Sequence, residues 1–139
     1  MERRDYLVSQ IQEMGSFFAK LLGRLQKDVQ DGEEDLLLME ARDALSIQFG
    51  WDLEELLFLD NSSFISLMEE NLLAVDHFEK MAAIFELLGE SDSGKRTLLQ
   101  KELYFRKALT LLEHIEYKSS TYSMERRDRI AQINLKMNH

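Results

Sequence analysis

Residues 98–115 have the sequence LLQKELYFRKALTLLEHI, and two apolar stripes run along them at helical spacing. One stripe contains Leu98, Phe105, Leu109 and Leu112, and the other contains Tyr104, Ala108, Leu111 and Ile115. A helix at a protein surface needs only one stripe, so a helix with two must be covered by neighbours on both sides. The stretch therefore predicts an all-α fold whose helices pack in layers.

The stretch before it, residues 71–88, also carries two apolar stripes. Its apolar positions form two neighbouring stripes, Val75, Phe78, Ala82 and Phe85 beside Met81, Ile84 and Leu88. We predict a helix over 71–88 with Gly89 as its C-cap, a break at 91–94 and a second helix from about Lys95 to Tyr117. A last helix, capped by Ser123 and ending near Met137, has one narrow stripe, which is typical of a helix that closes an assembly.

The N-terminal half predicts four more helices. Leu7, Ile11, Met14, Phe18, Leu21 and Leu25 form a stripe of almost five turns. Gly15 and Gly23 lie inside this first helix, where we expect them to permit close approach of a neighbour. A turn at 31–32 precedes a second helix closed by Gly50. Asp52 caps a short helix ending near residue 60, and the caps at 61–63 begin another that ends near residue 70.

The chain has 139 residues, no proline and no cysteine. That length fits a single domain, 1–139, of about six to seven helices. Antiparallel hairpins with a polar last helix favour a small α-solenoid over a symmetric four-helix bundle. Asp5, Gln10 and Glu13 interrupt the apolar stretch that a signal peptide would need, and no run approaches the ~18 apolar residues of a membrane span. We therefore expect a cytoplasmic protein without membrane attachment and without disulfides.

Two segments resemble known helical proteins. Phe105-Arg-Lys-Ala-Leu109 resembles the second-helix signature of a tetratricopeptide repeat, and Met81-Ala82 followed by Phe85 and Gly89 resembles its first helix. The chain differs from the repeat in a longer loop, in Lys101 at a position for a small residue and in its lack of proline. These segments imply a degenerate repeat-like hairpin over about 71–117 and, as such repeats usually do, peptide binding.

The opening of the chain carries a second resemblance. Asp5-Tyr-Leu7, Gln10-Ile11 and Phe18-Ala-Lys-Leu-Leu-Gly23 are similar to the start of an uncharacterised bacterial family of small tetratricopeptide-like helical proteins. This resemblance covers the first 25 residues and implies a fold but no established activity.

Catalytic motifs are absent from the sequence. His77, His114 and His139 lie outside every metal-binding or nucleophile motif, and the segment 93–97 lacks the second glycine of a phosphate loop. We expect His77 to be structural, and we expect Trp51 to anchor two helices and not to serve as a ligand platform. The sequence therefore predicts no enzyme, no metal and no cofactor. A net charge of −9 argues against nucleic-acid binding.

Charge is distributed unevenly along the chain. Residues 28–90 contain 17 acidic and two basic residues, whereas both flanks are net basic. Helix N-termini and local pairs such as Asp76 with Lys80 account for many of the acids. Eight acids have few local bases: Glu40, Asp43, Asp60, Glu69, Glu70, Glu79, Glu86 and Glu90. They form a solvated face, recruit a basic partner or pair with the chain's own basic ends.

We expect a non-enzymatic interaction module that presents an acidic helical surface to a basic protein or peptide. The first alternative is a self-associating structural or accessory domain whose acidic middle docks on the basic flank of another copy. The second alternative is a carboxylate-based enzyme, which would need carboxylates from separate helices to converge.

Overall fold

The computed structural model describes residues 2–91 and 98–137, and these residues form seven α-helices without a strand. The helices are α1 Glu2–Gln30, α2 Glu34–Phe49, α3 Leu53–Phe58, α4 Asn61–Asn71, α5 Val75–Glu90, α6 Leu98–Lys118 and α7 Met124–Met137. The predicted all-α class and helix number are confirmed. The predicted start of the sixth helix near Lys95, and most of the break at 91–94, lie outside the described residues.

The hairpin of α5 and α6 is the centre of the fold. Phe85 lies near Tyr104 and Phe78 lies near His114, with ring centroids 6.4 and 5.8 Å apart, so the two helices run antiparallel. α1 and α2 pack on α5, while α3, α4 and α7 pack on α6. The predicted coverage on two sides is therefore confirmed, and the buried apolar side chains form one continuous core.

Three predicted stripe positions are exposed. Leu7, Val75 and Leu98 are 48%, 54% and 85% exposed, although the later members of each stripe are buried or partly buried. All three lie near the N-terminal end of a described helix. A stripe at helical spacing identifies the apolar face, but a residue on that face is buried only where a neighbouring helix extends far enough to cover it.

Helix boundaries follow the caps. Asp52 accepts backbone N–H groups of Glu54 and Glu55 as predicted, Gly50 closes α2 with φ of 74°, and the Ser123 hydroxyl accepts the backbone N–H of Arg126. The prediction of a cap at 61–63 was wrong. Asp60 caps α4 by accepting the backbone N–H of Ser63, because its carboxylate reaches a free donor three residues ahead.

The predicted start of α5 at residue 71 was also wrong. Asn71 ends α4, where its side-chain amide donates to the Leu67 carbonyl. α5 begins at Val75, and the His77 ring reaches back over its first turn. His77 Nδ1 accepts the backbone N–H groups of Leu73 and Ala74, each at 3.2 Å. The ring thus supplies the acceptor that Ala74, as the residue before the helix, lacks.

Gly89 lies inside α5 and is not its C-cap, which corrects a further prediction. The helix continues to Glu90, and Ser91 follows as the C-cap with an extended backbone. A Cβ atom at Gly89 would lie 2.9 Å from two ring carbons of Phe105. The glycine is therefore needed for the close approach of α6. Gly23, for which we expected a similar role, has no atom within 4 Å of its would-be Cβ.

These two glycines allow a matched test. Gly89→Ala should destabilise the fold by about 1–2 kcal/mol, because the added methyl group displaces a buried ring and this cost exceeds the gain in helix propensity. Gly23→Ala should stabilise it by about 0.5–1 kcal/mol, because the same methyl group meets open space. Urea unfolding followed by circular dichroism measures both. Equal effects of the two substitutions would contradict the close approach at Gly89.

Candidate functional site

The eight acids do not form a single cluster. Glu40 and Asp43 lie on α2, Asp60 precedes α4, Glu69 and Glu70 lie on α4, and Glu79, Glu86 and Glu90 lie on α5. Two surfaces emerge from this distribution. One is occupied by the chain's own basic helix, and the other is open.

The occupied surface, which we name the α7 seat, consists of Glu79, Glu86 and Glu90 on α5 together with Glu116 on α6. Contacts between residues 79 and 126 and between 90 and 136 show that α7 runs parallel to α5. The contact between residues 116 and 126 joins the other side of α7 to α6. α7 therefore lies over both helices of the central hairpin.

Arg126 is the main polar contact of α7. Its guanidinium Nη1 donates to Glu116 Oε1 at 2.7 Å, while Nε and Nη2 donate to Glu79 Oε1 at 3.2 and 3.0 Å. The side chain is only 9% exposed. Burial alone would lower the pKa of Arg126, but the hydrogen bonds to the two carboxylates outweigh burial and raise the pKa. The guanidinium therefore stays charged inside the seat.

The other acids on α5 in the α7 seat have fewer contacts with α7 than Glu79 has. Lys136 forms an ion pair with Glu90. Between the two ends, Glu86 Oε1 is buried without a hydrogen-bond partner among the described residues. Burial raises the pKa of Glu86, and the positive charges of Lys136 and Arg129 offset this only in part. The seat thus retains negative charge that α7 does not satisfy.

Two of the remaining acids have structural contacts. Glu69 lies 3.5 Å from His114 Nε2 and 3.7 Å from Lys118 Nζ, which links α4 to α6. The hydrogen bond from the Ser63 backbone lowers the pKa of Asp60, the N-cap of α4. Glu70 is exposed and has no ion pair within the described part of the chain. Glu69, Glu79 and Glu90 therefore pair with basic residues of the chain's own C-terminal flank, which was one of the alternatives for these acids.

The open surface, which we name the α2 face, consists of Leu36, Met39, Glu40, Asp43 and Ile47. Their spacing of three, one, three and four residues places them on one side of the helix, opposite the buried Leu37, Ala41 and Leu45. Leu36, Met39 and Ile47 are 37%, 53% and 86% exposed. Asp43 is exposed and forms no ion pair with any residue that the structure describes. The face combines apolar side chains with uncompensated negative charge.

Two depressions flank the α2 face. One, of about 330 Å³, lies between α1 and α2 and is lined by Phe17, Arg24, Glu40, Asp43, Ala44, Ile47 and Gln48. The other, of about 380 Å³, lies at the end of α2 and is lined by Arg42, Asp43, Ser46, Gly50, Trp51, Asp52 and Glu54. Asp43 belongs to both depressions and is the acid best placed to meet a ligand at either.

The pKa of Glu40 depends on the charged groups around it. Burial and the charge of Asp28 on α1 raise the pKa of Glu40, whereas the charge of Arg24 acts in the opposite direction. Asp28 is 7% exposed, and its Oδ2 and Glu40 Oε2 are both buried without a hydrogen-bond partner in residues 2–91 and 98–137. Two carboxyl groups thus meet at the contact of α1 with α2, and burial together with their mutual repulsion opposes ionisation of Glu40.

His77 and Trp51, which we considered as possible ligand-binding or catalytic residues, make structural contacts. His77 is 1% exposed and its Nε2 lies 3.1 Å from the Ile11 carbonyl oxygen, so backbone groups engage both ring nitrogens. Trp51 is 8% exposed and stacks on Phe49 of α2, with ring centroids 4.1 Å apart. Its predicted role as an anchor of two helices stays a prediction. Among the described residues, no three acidic or histidine side chains are grouped to hold a metal ion.

Sequence reasoning missed Lys107. This lysine is 4% exposed, and its Nζ donates to the Leu59 carbonyl at 2.6 Å and lies 4.9 Å from the centre of the Phe64 ring. Burial lowers the pKa of Lys107, while Asp60 acts in the opposite direction. Its position three residues after Tyr104 and four before Leu111 places it in a buried stripe, so the spacing could have identified it.

Comparison with protein-family models, curated proteins and solved structures found no match to this chain. The resemblances to tetratricopeptide repeats and to a bacterial family therefore stay predictions. No helix within residues 2–91 and 98–137 is long and apolar enough to cross a membrane.

The environment of Glu86 predicts a stability that changes with pH. Since the pKa of Glu86 is raised in the folded state, its ionisation opposes folding. Glu86→Gln should therefore be more stable than the wild type at pH ~7. This advantage should shrink as the pH falls through the raised folded pKa and vanish below about 4.5, the ordinary value of the group.

Urea unfolding of both proteins at several pH values measures this difference. Glu70→Gln is the control, since this exposed acid forms no ion pair among the described residues and its replacement should change stability little at any pH. A Glu86→Gln variant that is less stable than the wild type at neutral pH would show that the attraction of α7 outweighs burial.

Proposed function

We propose that this chain is a non-enzymatic interaction module that binds a basic amphipathic helix on the α2 face. The observation that carries the proposal is that exposed apolar side chains lie along one side of α2 together with Asp43, an exposed acid without an ion-pair partner among the described residues. Such a surface matches a helix with an apolar side and flanking lysine or arginine residues, which is a recurring mode of peptide recognition. The resemblance to peptide-binding repeats agrees with this proposal.

The chain itself supplies an example of such binding. α7 is a basic helix whose Arg126 and Lys136 contact acids while Ile133 is fully buried beside them. In this contact, individual acids of α5 and α6 accommodate a basic amphipathic helix. The α2 face offers the same kinds of groups, with Asp43 and Glu40 between Met39 and Ile47.

Local charge explains why a basic partner would choose this face. The screening length at physiological salt is about 8 Å, so a cation senses the nearest carboxylates much more than the whole molecule. Glu40, Asp43 and Asp28 lie at or beside the face, and Arg24 is the opposing charge nearest to Glu40. A guanidinium or ammonium group placed over the depression between α1 and α2 would compensate these carboxyl groups.

Trp51 provides a direct measurement of binding. It is the chain's only tryptophan and lines the depression that also contains Asp43. A synthetic helical peptide of Leu, Lys and Ala, without tryptophan, should change the emission of Trp51 in a saturable way. The same peptide with Glu in place of Lys should not, because the acids would repel it.

Two charge reversals locate the site. Asp43→Lys should weaken binding of the Lys-containing peptide by about tenfold, equivalent to roughly 1.4 kcal/mol. Glu70→Lys changes the net charge equally at an exposed acid outside the α2 face, and it should weaken binding by less than about twofold. Equal weakening by both variants would show that only net charge matters and would contradict the assigned site.

A second variant tests the apolar part of the face. Ile47 is 86% exposed, so Ile47→Ser should leave stability nearly unchanged while weakening peptide binding severalfold. Unchanged affinity in this variant would show that the peptide is held by charge alone and would contradict amphipathic docking.

A further inference from the structure

A second interaction surface lies under α7. The α7 seat and the helix that fills it belong to the same chain, so the seat of one molecule fits the α7 of any other identical molecule equally well. α7 can dock on the seat of its own chain or on the seat of another copy. Which of the two occurs depends on how firmly α7 is held in its own seat and on the segment that connects α7 to α6.

The attachment of α7 combines a narrow apolar stripe with ionic contacts. Of its side chains, Arg126 and Ile133 are buried, and Ile130 and Met137 are partly buried against the core. The remaining contacts include the ion pair of Lys136 with Glu90 and a 3.4 Å contact between Arg127 Nε and Glu116 Oε2. Contacts of this kind weaken as salt increases, whereas a helix held by a broad apolar stripe would not be released.

The connection of α7 permits exchange. Residues 119–123, Ser-Ser-Thr-Tyr-Ser, separate the last residue of α6 from the first residue of α7. Five residues extend to about 17 Å when they straighten, which is enough to carry α7 away from its own α6. The segment contains no proline or glycine, and its turn is held by exposed hydrogen bonds between Ser119 and Thr121, which straightening would exchange for bonds to water.

Exposed apolar side chains surround this connection. Tyr117, Tyr122 and Met124 are 87%, 64% and 66% exposed, and they lie within eight residues of one another. In an exchanged dimer the two connecting segments would run side by side about a twofold axis. Each set of three side chains would then lie near its symmetry mate and lose contact with water. The closed monomer offers them no such cover.

We propose that the α7 seat binds the α7 of a second copy, so that two chains associate by reciprocal exchange of this helix. Arg126 of each chain would then contact Glu79 and Glu116 of the other. The exchange uses the contacts seen within one chain and adds those of the connecting segments. It is independent of the α2 face, which stays open in both forms.

Charge reversal distinguishes exchange from docking within one chain. Glu79→Arg and Arg126→Glu, made in separate full-length proteins, each place like charges at the seat. In an equimolar mixture, the unchanged α7 of the first protein can dock on the unchanged seat of the second. The two substituted positions then meet with opposite charges. Mixing should therefore produce a heterodimer that neither protein forms alone.

Native mass spectrometry and light scattering measure this outcome. We expect the heterodimer to be at least about tenfold more abundant in the mixture than dimers of either variant alone, and to decrease with added salt. A chain carrying both substitutions is the control for their effect on folding, since its residues 79 and 126 again carry opposite charges within one molecule while residue 126 still faces Glu116, as it does in the Arg126→Glu protein. A mixture that contains only monomers would overturn the proposal.

A second measurement avoids altering Arg126. The chain contains no cysteine, so Glu90→Cys and Lys136→Cys can be made in separate proteins and mixed with a short bismaleimide. Exchange should join the two different variants covalently, with a yield that rises with concentration. Cross-linking that occurs only in a chain carrying both cysteines would overturn the proposal. Asp43→Lys, which tests the α2 face, should leave this yield unchanged.

Discussion

The close approach of α5 and α6 is the constraint on which the other helices depend. The Phe105 ring lies directly over Gly89, and aromatic contacts continue along the hairpin towards His114. A hairpin that is apolar on both sides cannot be stable alone, so each uncovered side needs another pair of helices. α1 and α2 cover α5, and α3 and α4 cover α6. A small change in the separation of α5 and α6 would therefore alter the contacts that the other helices make with the hairpin.

The sequence predicts which face of each helix is buried better than it predicts where each helix ends. Spacing identified the stripes of α1, α5 and α6, because burial of a stripe is a property of the helical period. Ends depend on which of several adjacent polar groups reaches a free backbone N–H. Asp60 and the residues 61–63 are all good caps by type, and only geometry decides for Asp60. Gly89 was misplaced because glycine is typical both of helix ends and of close helix contacts.

The sequence identifies the acids that lack local bases, but it does not reveal which basic residue each of them contacts. Glu79 and Arg126 are 47 residues apart, and their contact follows from how α7 folds back over the hairpin. Glu90 and Lys136 are joined in the same way. Local rules for i, i+4 pairs correctly found Asp76 with Lys80. They contain no information about contacts between helices, so the α7 seat appeared only in the structure, whereas the alternation of acids and apolar residues along α2 was already present in the sequence.

The two acidic surfaces show that placement of charge matters more than its sum. A chain with a net charge of −9 nevertheless buries the guanidinium of Arg126 between two of its own carboxylates. Desolvation of that guanidinium is offset because three N–H groups find acceptors at once. Glu86, a short distance along the same seat, has a buried oxygen without such a donor in the described part of the chain. The difference between them is geometric: α7 places a cation against Glu79 and Glu116 but leaves this oxygen of Glu86 without a donor. For the partner helix that we propose, the positions of the basic residues along one side should therefore matter more than the total charge.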